Sequence, residues 1–436
     1  MRYKKIFYIV DIFLVFGLFC IIYNPPIFMI NSMHIIGLIS WFVLIFKSGF
    51  TKKIMPGFAI KLILWFVFFA AYLFLISILF NHGTLNVFYT HIYFIFDIIP
   101  FALLIKQQFE EKQRSYKDLF KLLTITILIQ TFIILLAFFY NPFQQFLISR
   151  FVAYGYKSVY VSISRYRMYG FSGGLTFATP IFHSFASVVM FYYAIKEKRR
   201  IFYLFSILVL FSAIINARTS IIVVIVGVVS LTLFSRLSIS KKVMLFFLEC
   251  AIIGLLFFVV PPIIKSISAE TYSWVEDGLQ QIKALFMNDT SEGFFNYIFS
   301  SEQYPLPKSG LSFLIGTGHN VFGSESQSIY GVSTDVGFIN DLWKGGVLYL
   351  SVYYLFFVTI FVKMLKKDNY LVSFIGLFAL LSYPLLMFKG SIFDMCDITN
   401  FIVIVFVTTF DFEFKKGKYV RFRECKSNNC YCALQQ

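Results

Sequence analysis

The chain has 436 residues, of which 59% are hydrophobic, 21% aromatic and only 14% charged. So much apolar side chain excludes a soluble globular domain and predicts an all-α, polytopic membrane bundle, because a helix pairs every backbone polar group within itself. A formal charge of +16 would suit nucleic acid in a soluble protein, but here the Lys and Arg fall between apolar runs, where they mark topology and imply no nucleic-acid partner.

A bilayer core about 30 Å thick takes roughly 20 apolar residues per helix. Apolar runs and polar breaks, read in chain order, predict about twelve spans: 6–23, 27–46, 58–80, 87–105, 119–140, 176–195, 201–216, 219–235, 243–262, 336–361, 371–388 and 398–412. A β-barrel would alternate apolar and polar residues, whereas Ile201 to Ile215 and Val243 to Val260 are continuously apolar. Arg2, Lys4 and Lys5 open the chain like a signal peptide, but no small-residue cleavage site follows, so an uncleaved first span is expected. Basic clusters recur in alternate connections: Lys47 to Lys53, Lys106 to Lys121, Lys196 to Arg200, Arg236 to Lys242, Lys363 to Lys367, and a basic tail at 413–436. By the positive-inside rule these segments and both termini are cytoplasmic. Neither Cys20, Cys250 and Cys396 in the apolar runs nor Cys425, Cys430 and Cys432 in the tail imply a disulfide framework or a zinc site.

The connections between spans are mostly short, and two long extracytoplasmic loops stand out as places for chemistry. The first, 141–174, is aromatic and is the one basic outer loop, with Arg150, Lys157, Arg165 and Arg167. It ends in Arg165-Tyr-Arg167-Met-Tyr-Gly170-Phe-Ser-Gly173-Gly174, where glycines can turn backbone amides toward an anion that the arginines also attract. Arg165 suits either a lipid headgroup or a substrate phosphate; Arg167, nearer the glycines, leans to substrate.

Between the seventh and eighth spans lies the short turn Asn216-Ala217-Arg218-Thr219-Ser220. An arginine there breaks the positive-inside pattern and needs a partner, either a structural acid or headgroup, or a phosphate held by the planar guanidinium fork.

The second long loop, 261–334, is acidic. Within it Tyr272, Val275, Leu279, Ile282 and Phe286 recur at helical spacing, and Ser273 with Glu276 could form a capping box. An amphipathic helix is expected, either on the membrane surface or packed over the bundle. Next come Gly316-Thr317-Gly318-His319-Asn320 and Ser333-Thr-Asp335-Val-Gly337, then Asp341 and Gly345-Gly346 at the start of the tenth span. His319 could act as a base or donor near neutral pH, or simply sit in a glycine turn. Asp335 could act as a base or cap the following helix, and Asp341 need not share its side. Gly316, Gly318 and Asn320 are candidate substrate contacts. Asp11, Asp97 and Glu249 are expected in the cytoplasmic half, paired inside the bundle. No Walker loop, dinucleotide motif or Asp-x-Asp pair is present, so neither cofactor nor metal is expected.

In order and placement these stretches resemble the Wzy-type O-antigen and capsule polymerases of the O-antigen polymerase and ligase superfamily. The likeness rests on Arg-x-x-Gly-x-x-x-Gly at Arg167 to Gly174, on the Asn216 to Ser220 turn, and on Gly316-x-Gly318 followed by Ser333-x-Asp335-x-Gly337 and Gly345-Gly346. It implies a multi-pass enzyme of the bacterial cytoplasmic (inner) membrane that joins polyprenyl-pyrophosphate-linked repeat units on the periplasmic face by inverting glycosyl transfer. Arg218 and Arg167 would hold the donor pyrophosphate, and His319 or Asp335 would deprotonate the acceptor hydroxyl. Membrane lipids, a flippase and chain-length regulators are the implied partners. Ligases usually carry a His-Asn or similar pair where this chain has Asp335, which favours polymerase over ligase; a lipid-linked oligosaccharide flippase is the other alternative.

Overall fold

A computed structural model describes residues 2–26, 31–48, 56–80, 87–155, 163–164, 166–173, 177–217, 219–234, 254, 261–267, 269–286, 300–322, 331–394 and 396–410. The described residues form helices and connections, with a single isolated bridge from Phe322 to Thr334 and no named strand. In chain order the helices are α1 (Arg2–Tyr23), α2 (Ser32–Ser48), α3 (Gly57–Phe80), α4 (Tyr89–Glu111), α5 (Tyr116–Phe139), α6 (Asn141–Ala153) and α7 (Ala178–Glu197). They continue with α8 (Ile201–Ile214), α9 (Thr219–Phe234), α10 (Ala269–Phe286), α11 (Gly310–Ile315), α12 (Gly337–Leu365), α13 (Tyr370–Leu386) and α14 (Asp397–Thr409). Five of them, α3, α4, α5, α7 and α12, are long and apolar enough to cross a membrane, and six shorter apolar helices accompany them. The chain is an all-helical, membrane-embedded protein. Eleven of the predicted segments coincide with helices to within a few residues; the twelfth, 243–262, lies almost wholly outside the described residues.

The side-chain pattern is that of a bundle solvated by lipid. On α3, Ile60, Leu64, Phe68, Leu75 and Leu79 are exposed along one face, while Leu62, Phe66, Phe69 and Leu73 on the other are buried. Apolar lipid gives helices no hydrophobic drive to associate, so close packing has to hold them. Aromatic rings supply much of it: Phe185 stacks on Phe378 at 4.2 Å, Tyr192 on Phe374 at 4.1 Å and Phe66 on Phe94 at 4.5 Å. Helix ends are set locally. Ser115 and Asp118 form a capping box that starts α5, and the Asn369 carboxamide accepts from the amides of Leu371 and Val372 to start α13.

The two ends of the bundle differ. At one, called here the basic end, Lys47 pairs with Glu111, Lys117 with Glu197 and Arg114 with Asp11, each at 2.5 Å. At the other, the loop end, α1 finishes, α2 begins, and the segments 163–164, 166–173, 300–322 and 387–394 gather. Asp11 and Asp97 are paired inside the bundle as expected, but Asp97 is not toward the basic end. It lies eight residues into α4 on a π-helical stretch, Phe94–Ile98, bonded at 2.6 Å to His34, two residues into α2. Gly37 permits this approach, since a Cβ there would fall 2.5 Å from the Asp97 carboxylate. Glu249 lies outside the described residues.

The expected capping box at Ser273 does not start a helix, because α10 begins four residues earlier at Ala269. Its Val275 is buried in a satellite core with Ile134 and Phe138 of α5, Leu147 and Phe151 of α6, and Met168; Tyr272 and Trp274 pack against it. The α10 helix is therefore docked on the bundle by that face; the side chains of Leu279, Ile282 and Phe286 lie outside the described set.

One backbone break organises α12. Gly346 has φ 71° and ψ −177°, a region open in practice only to glycine, and a Cβ there would lie 2.4 Å from the Leu314 carbonyl oxygen. Gly346→Ala is expected to destabilise the detergent-solubilised protein by about 3 kcal/mol or more, read as a lowered unfolding midpoint. An unchanged midpoint would contradict this account of the break.

Candidate functional site

The break frees carbonyl groups that an unbroken helix would pair, and in a membrane protein such groups must find partners in protein. The Gly316 to Gly318 segment supplies them. The Thr317 amide donates to the Trp343 carbonyl at 2.8 Å, the Gly318 amide to the Lys344 carbonyl at 3.0 Å, and the Thr317 hydroxyl again to Trp343 at 3.0 Å. From α3, the Tyr72 hydroxyl lies 2.9 Å from the Gly345 carbonyl and 3.0 Å from that of Ile315. Gly316, at φ +85°, presses against Gly345, where any Cβ would meet backbone at 2.6 Å. The glycine motif is thus a clamp on a broken helix. The Gly316 amide is bonded to the Ser312 carbonyl and the Gly318 amide to Lys344, so neither is turned toward an anion. Beside them the His319 ring stacks on Trp343 at 6.4 Å, and the exposed Asn320 carboxamide accepts from the Phe322 amide.

The first half of α12 carries the buried charges. Lys344 bonds Asp394 and lies 3.4 Å from Asp341. Asp341 also accepts from the Tyr354 hydroxyl at 3.1 Å and the Ser391 hydroxyl at 3.2 Å. The two side chains are only 1% and 5% exposed for Asp341 and Lys344, so each compensates a charge that neither lipid nor a dry interior would solvate. Asp335 does not cap α12: the N-cap residue is Val336 and no side chain caps it. Instead the Asp335 carboxylate pairs with Lys389 at 3.2 Å, while its amide donates to the Gln303 carboxamide at 2.9 Å. Asp335 and Asp341 therefore both turn to the segment that joins α13 to α14. That segment can sit so close because Gly337 faces Gly390, where a Cβ would fall 2.2 Å from a carbonyl oxygen.

The Arg167 stretch folds over the same end. Gly170, at φ +61°, lies against Gln130 of α5, whose carboxamide donates to the Tyr169 carbonyl at 2.7 Å and accepts from the Phe171 amide at 3.3 Å. The Gly173 amide donates to the Tyr23 carbonyl at the end of α1, and Ser172 and Thr179 both donate to Asp397 at the start of α14. Phe177 connects this stretch to the others: its ring borders Gly390 and lies 6.0 Å from Phe322. The Arg167 guanidinium sits 4.5 Å over the Trp274 ring of α10, with Tyr166 beside it and Nη1 3.3 Å from the Tyr169 hydroxyl. Its Nε is buried without a hydrogen-bond partner, and among the described residues it has no carboxylate at ion-pair distance. A stacked guanidinium keeps in-plane donors available for an anion.

Arg218 and Arg165 lie outside the described residues. On either side of Arg218, Ala217 and Thr219 are buried, and Ile215 joins Met168 in the satellite core, which brings this turn to the Arg167 stretch. Among the described residues no three His, Cys, Asp or Glu side chains lie together as a metal site would require. Sequence reasoning missed Lys344, Lys389, Asp394 and Trp274. The i, i+3 pair of Asp341 and Lys344 within an apolar span was the available signal, since charges there demand partners.

Lys344→Met should leave Asp341 as an uncompensated buried charge and lower stability by about 3–5 kcal/mol, with Asp341→Asn added to it restoring much of the loss. Denaturant midpoints of the single and double variants check this; equal loss in both would contradict mutual compensation. Compared with family models, curated proteins and solved structures, the chain matches none of them.

Proposed function

We propose that this protein is a glycosyltransferase of the bacterial cytoplasmic membrane, a polymerase that joins polyprenyl-pyrophosphate-linked oligosaccharide repeat units on the outer face. In this reading about twelve spans put both termini in the cytoplasm and the loop end outside. The product is an O-antigen, capsule or exopolysaccharide. The acceptor hydroxyl oxygen bonds to the donor anomeric carbon, the carbon–oxygen bond to pyrophosphate breaks with inversion, and polyprenyl pyrophosphate leaves. Arg218 and Arg167 stabilise the negative charge that develops on that leaving group, and Arg165 contributes to donor binding. His319 or Asp335 takes the hydroxyl proton. Asp335 is held at the loop end by its ion pair with Lys389. Gly316 and Gly318 serve the substrate indirectly, by fixing the loop that carries His319 and Asn320.

One observation carries the reading. The Arg167 stretch, the residues on either side of Arg218, and the segments 316–322 and 331–337 are far apart in sequence yet gather at one end of the bundle, where Arg167 lacks an acid partner among the described residues. A ligase of the same superfamily would use the same chemistry. One feature favours a different reading, a lipid-linked oligosaccharide flippase: α12 is discontinuous and carries buried charges, as in many transporters.

In a strain lacking the gene, Arg218→Ala is expected to abolish long-chain surface polysaccharide while the protein still accumulates, and Arg167→Ala to cut chain assembly by about a hundredfold. Gels of surface glycan check both. Full ladders from Arg218→Ala would refute the catalytic assignment. Single repeat units exposed at the surface of the deletion strain support a polymerase, whereas units retained inside would support a flippase.

A further inference from the structure

At the basic end a second cationic group stands outside the candidate site. Lys106 of α4 reaches the carbonyl of Phe410, the residue that closes α14, and its ammonium lies 4.5 Å over the Phe58 ring of α3. The Phe58 and Phe410 rings face each other at 4.4 Å. Over Phe410 from the α12 side stand Lys367 at 5.0 Å and Lys363 at 5.7 Å. Three other cations at this end have carboxylates: Lys47 has Glu111, Lys117 has Glu197 and Arg114 has Asp11. Lys106 has Glu110 at 3.9 Å, but Lys363 and Lys367 have no carboxylate at ion-pair distance among the described residues.

Two ammonium groups held over one ring, with no acid at ion-pair distance among the described residues, are repelled by each other and by Lys106. An anion would relieve that repulsion. Toward the middle of the bundle the face of α12 in helical register with Lys363 is apolar, with Leu355, Val352 and Leu348 exposed, and Trp65 is exposed on the Phe58 side of α3. A ligand that fits both halves has a phosphate at its head and an acyl chain beneath.

We propose that Lys363 and Lys367, over the Phe410 ring, form a binding site for the phosphate of an anionic phospholipid whose acyl chain runs along Leu355 and Val352. Lys106 is a positioning residue: it anchors the Phe410 carbonyl, which holds the ring under the two lysines. The ligand is a resident lipid rather than the glycan carrier, and the site is independent of the polymerase reading.

The test is titration of dioleoyl phosphatidylglycerol into the full-length protein in neutral detergent, with binding read by native mass spectrometry. Lys363→Ala with Lys367→Ala should weaken the most tightly held phosphatidylglycerol by about 30-fold, from the loss of two cations near a membrane surface. Lys47→Ala with Lys117→Ala removes the same charge from the same end and should change it less than about threefold, because those cations already have partners. Lys363→Arg with Lys367→Arg should keep the affinity and guards against misfolding as the cause. Equal losses from the two alanine pairs, or loss in the arginine pair, would overturn the site. Displacement of the lipid by inorganic phosphate at matching concentration would assign the lysines to a soluble anion and overturn the lipid assignment.

Discussion

The break in α12 at Gly346 is the constraint on which the loop end depends. A helix interrupted inside a membrane protein exposes carbonyls that lipid cannot satisfy, and here the amides of Thr317 and Gly318 and the hydroxyls of Thr317 and Tyr72 take them. That requirement fixes the long loop to the bundle at one place. With the loop fixed, Trp343 meets His319, and Val321 donates to the Asn340 carboxamide at 2.8 Å. Farther along, Thr334 donates to the Gln303 carbonyl and Asp335 turns to Lys389. A loop of this length would otherwise cost conformational entropy at every residue; the clamp, the ion pair and the close approach of Gly337 to Gly390 offset part of that cost.

The distribution of charge follows the same economy of partners. Inside the bundle, Asp341 lies in a compensated group with Lys344 and Asp394, Asp97 is hydrogen-bonded to His34, and Asp397 accepts from Ser172 and Thr179. At the ends, Lys47 and Lys117 pair with Glu111 and Glu197 while partly exposed, and such pairs contribute little to stability. The exceptions are informative. Arg167 rests on Trp274 and Tyr166 instead of an acid, and Lys363 and Lys367 rest on Phe410. Aromatic faces hold these cations in place without neutralising them, which leaves each available to a phosphate.

The helices were legible in the sequence because lipid imposes a length and an apolar composition that single segments report by themselves. The predicted limits for α3 and α9 differ from the observed ones by a residue at most. What depends on residues distant in sequence was not legible. Gly316, Gly318, Gly345 and Gly346 were recognisable as a group, but their purpose, the mutual approach of two backbones, needed the fold. Asp335 looked like a helix cap from its position; Lys389, 54 residues away, determines its actual partner. The Ser273 and Glu276 pattern suggested a helix start that α10 places four residues earlier, since tertiary docking of Val275 extends the helix beyond its local signal. Asp97 shifted toward the loop end because the π-helical stretch and Gly37 bring it to His34, an interaction between two helices that neither reveals alone.

The chemistry proposed for the loop end is glycosyl transfer on a lipid-linked substrate. Its most direct test is reconstitution of the purified chain in liposomes with polyprenyl-pyrophosphate-linked repeat units and no nucleotide. The account predicts oligomers of increasing length with one polyprenyl pyrophosphate released for each new linkage. Repeat units that cross the bilayer with every pyrophosphate linkage intact and no longer glycan formed would contradict it.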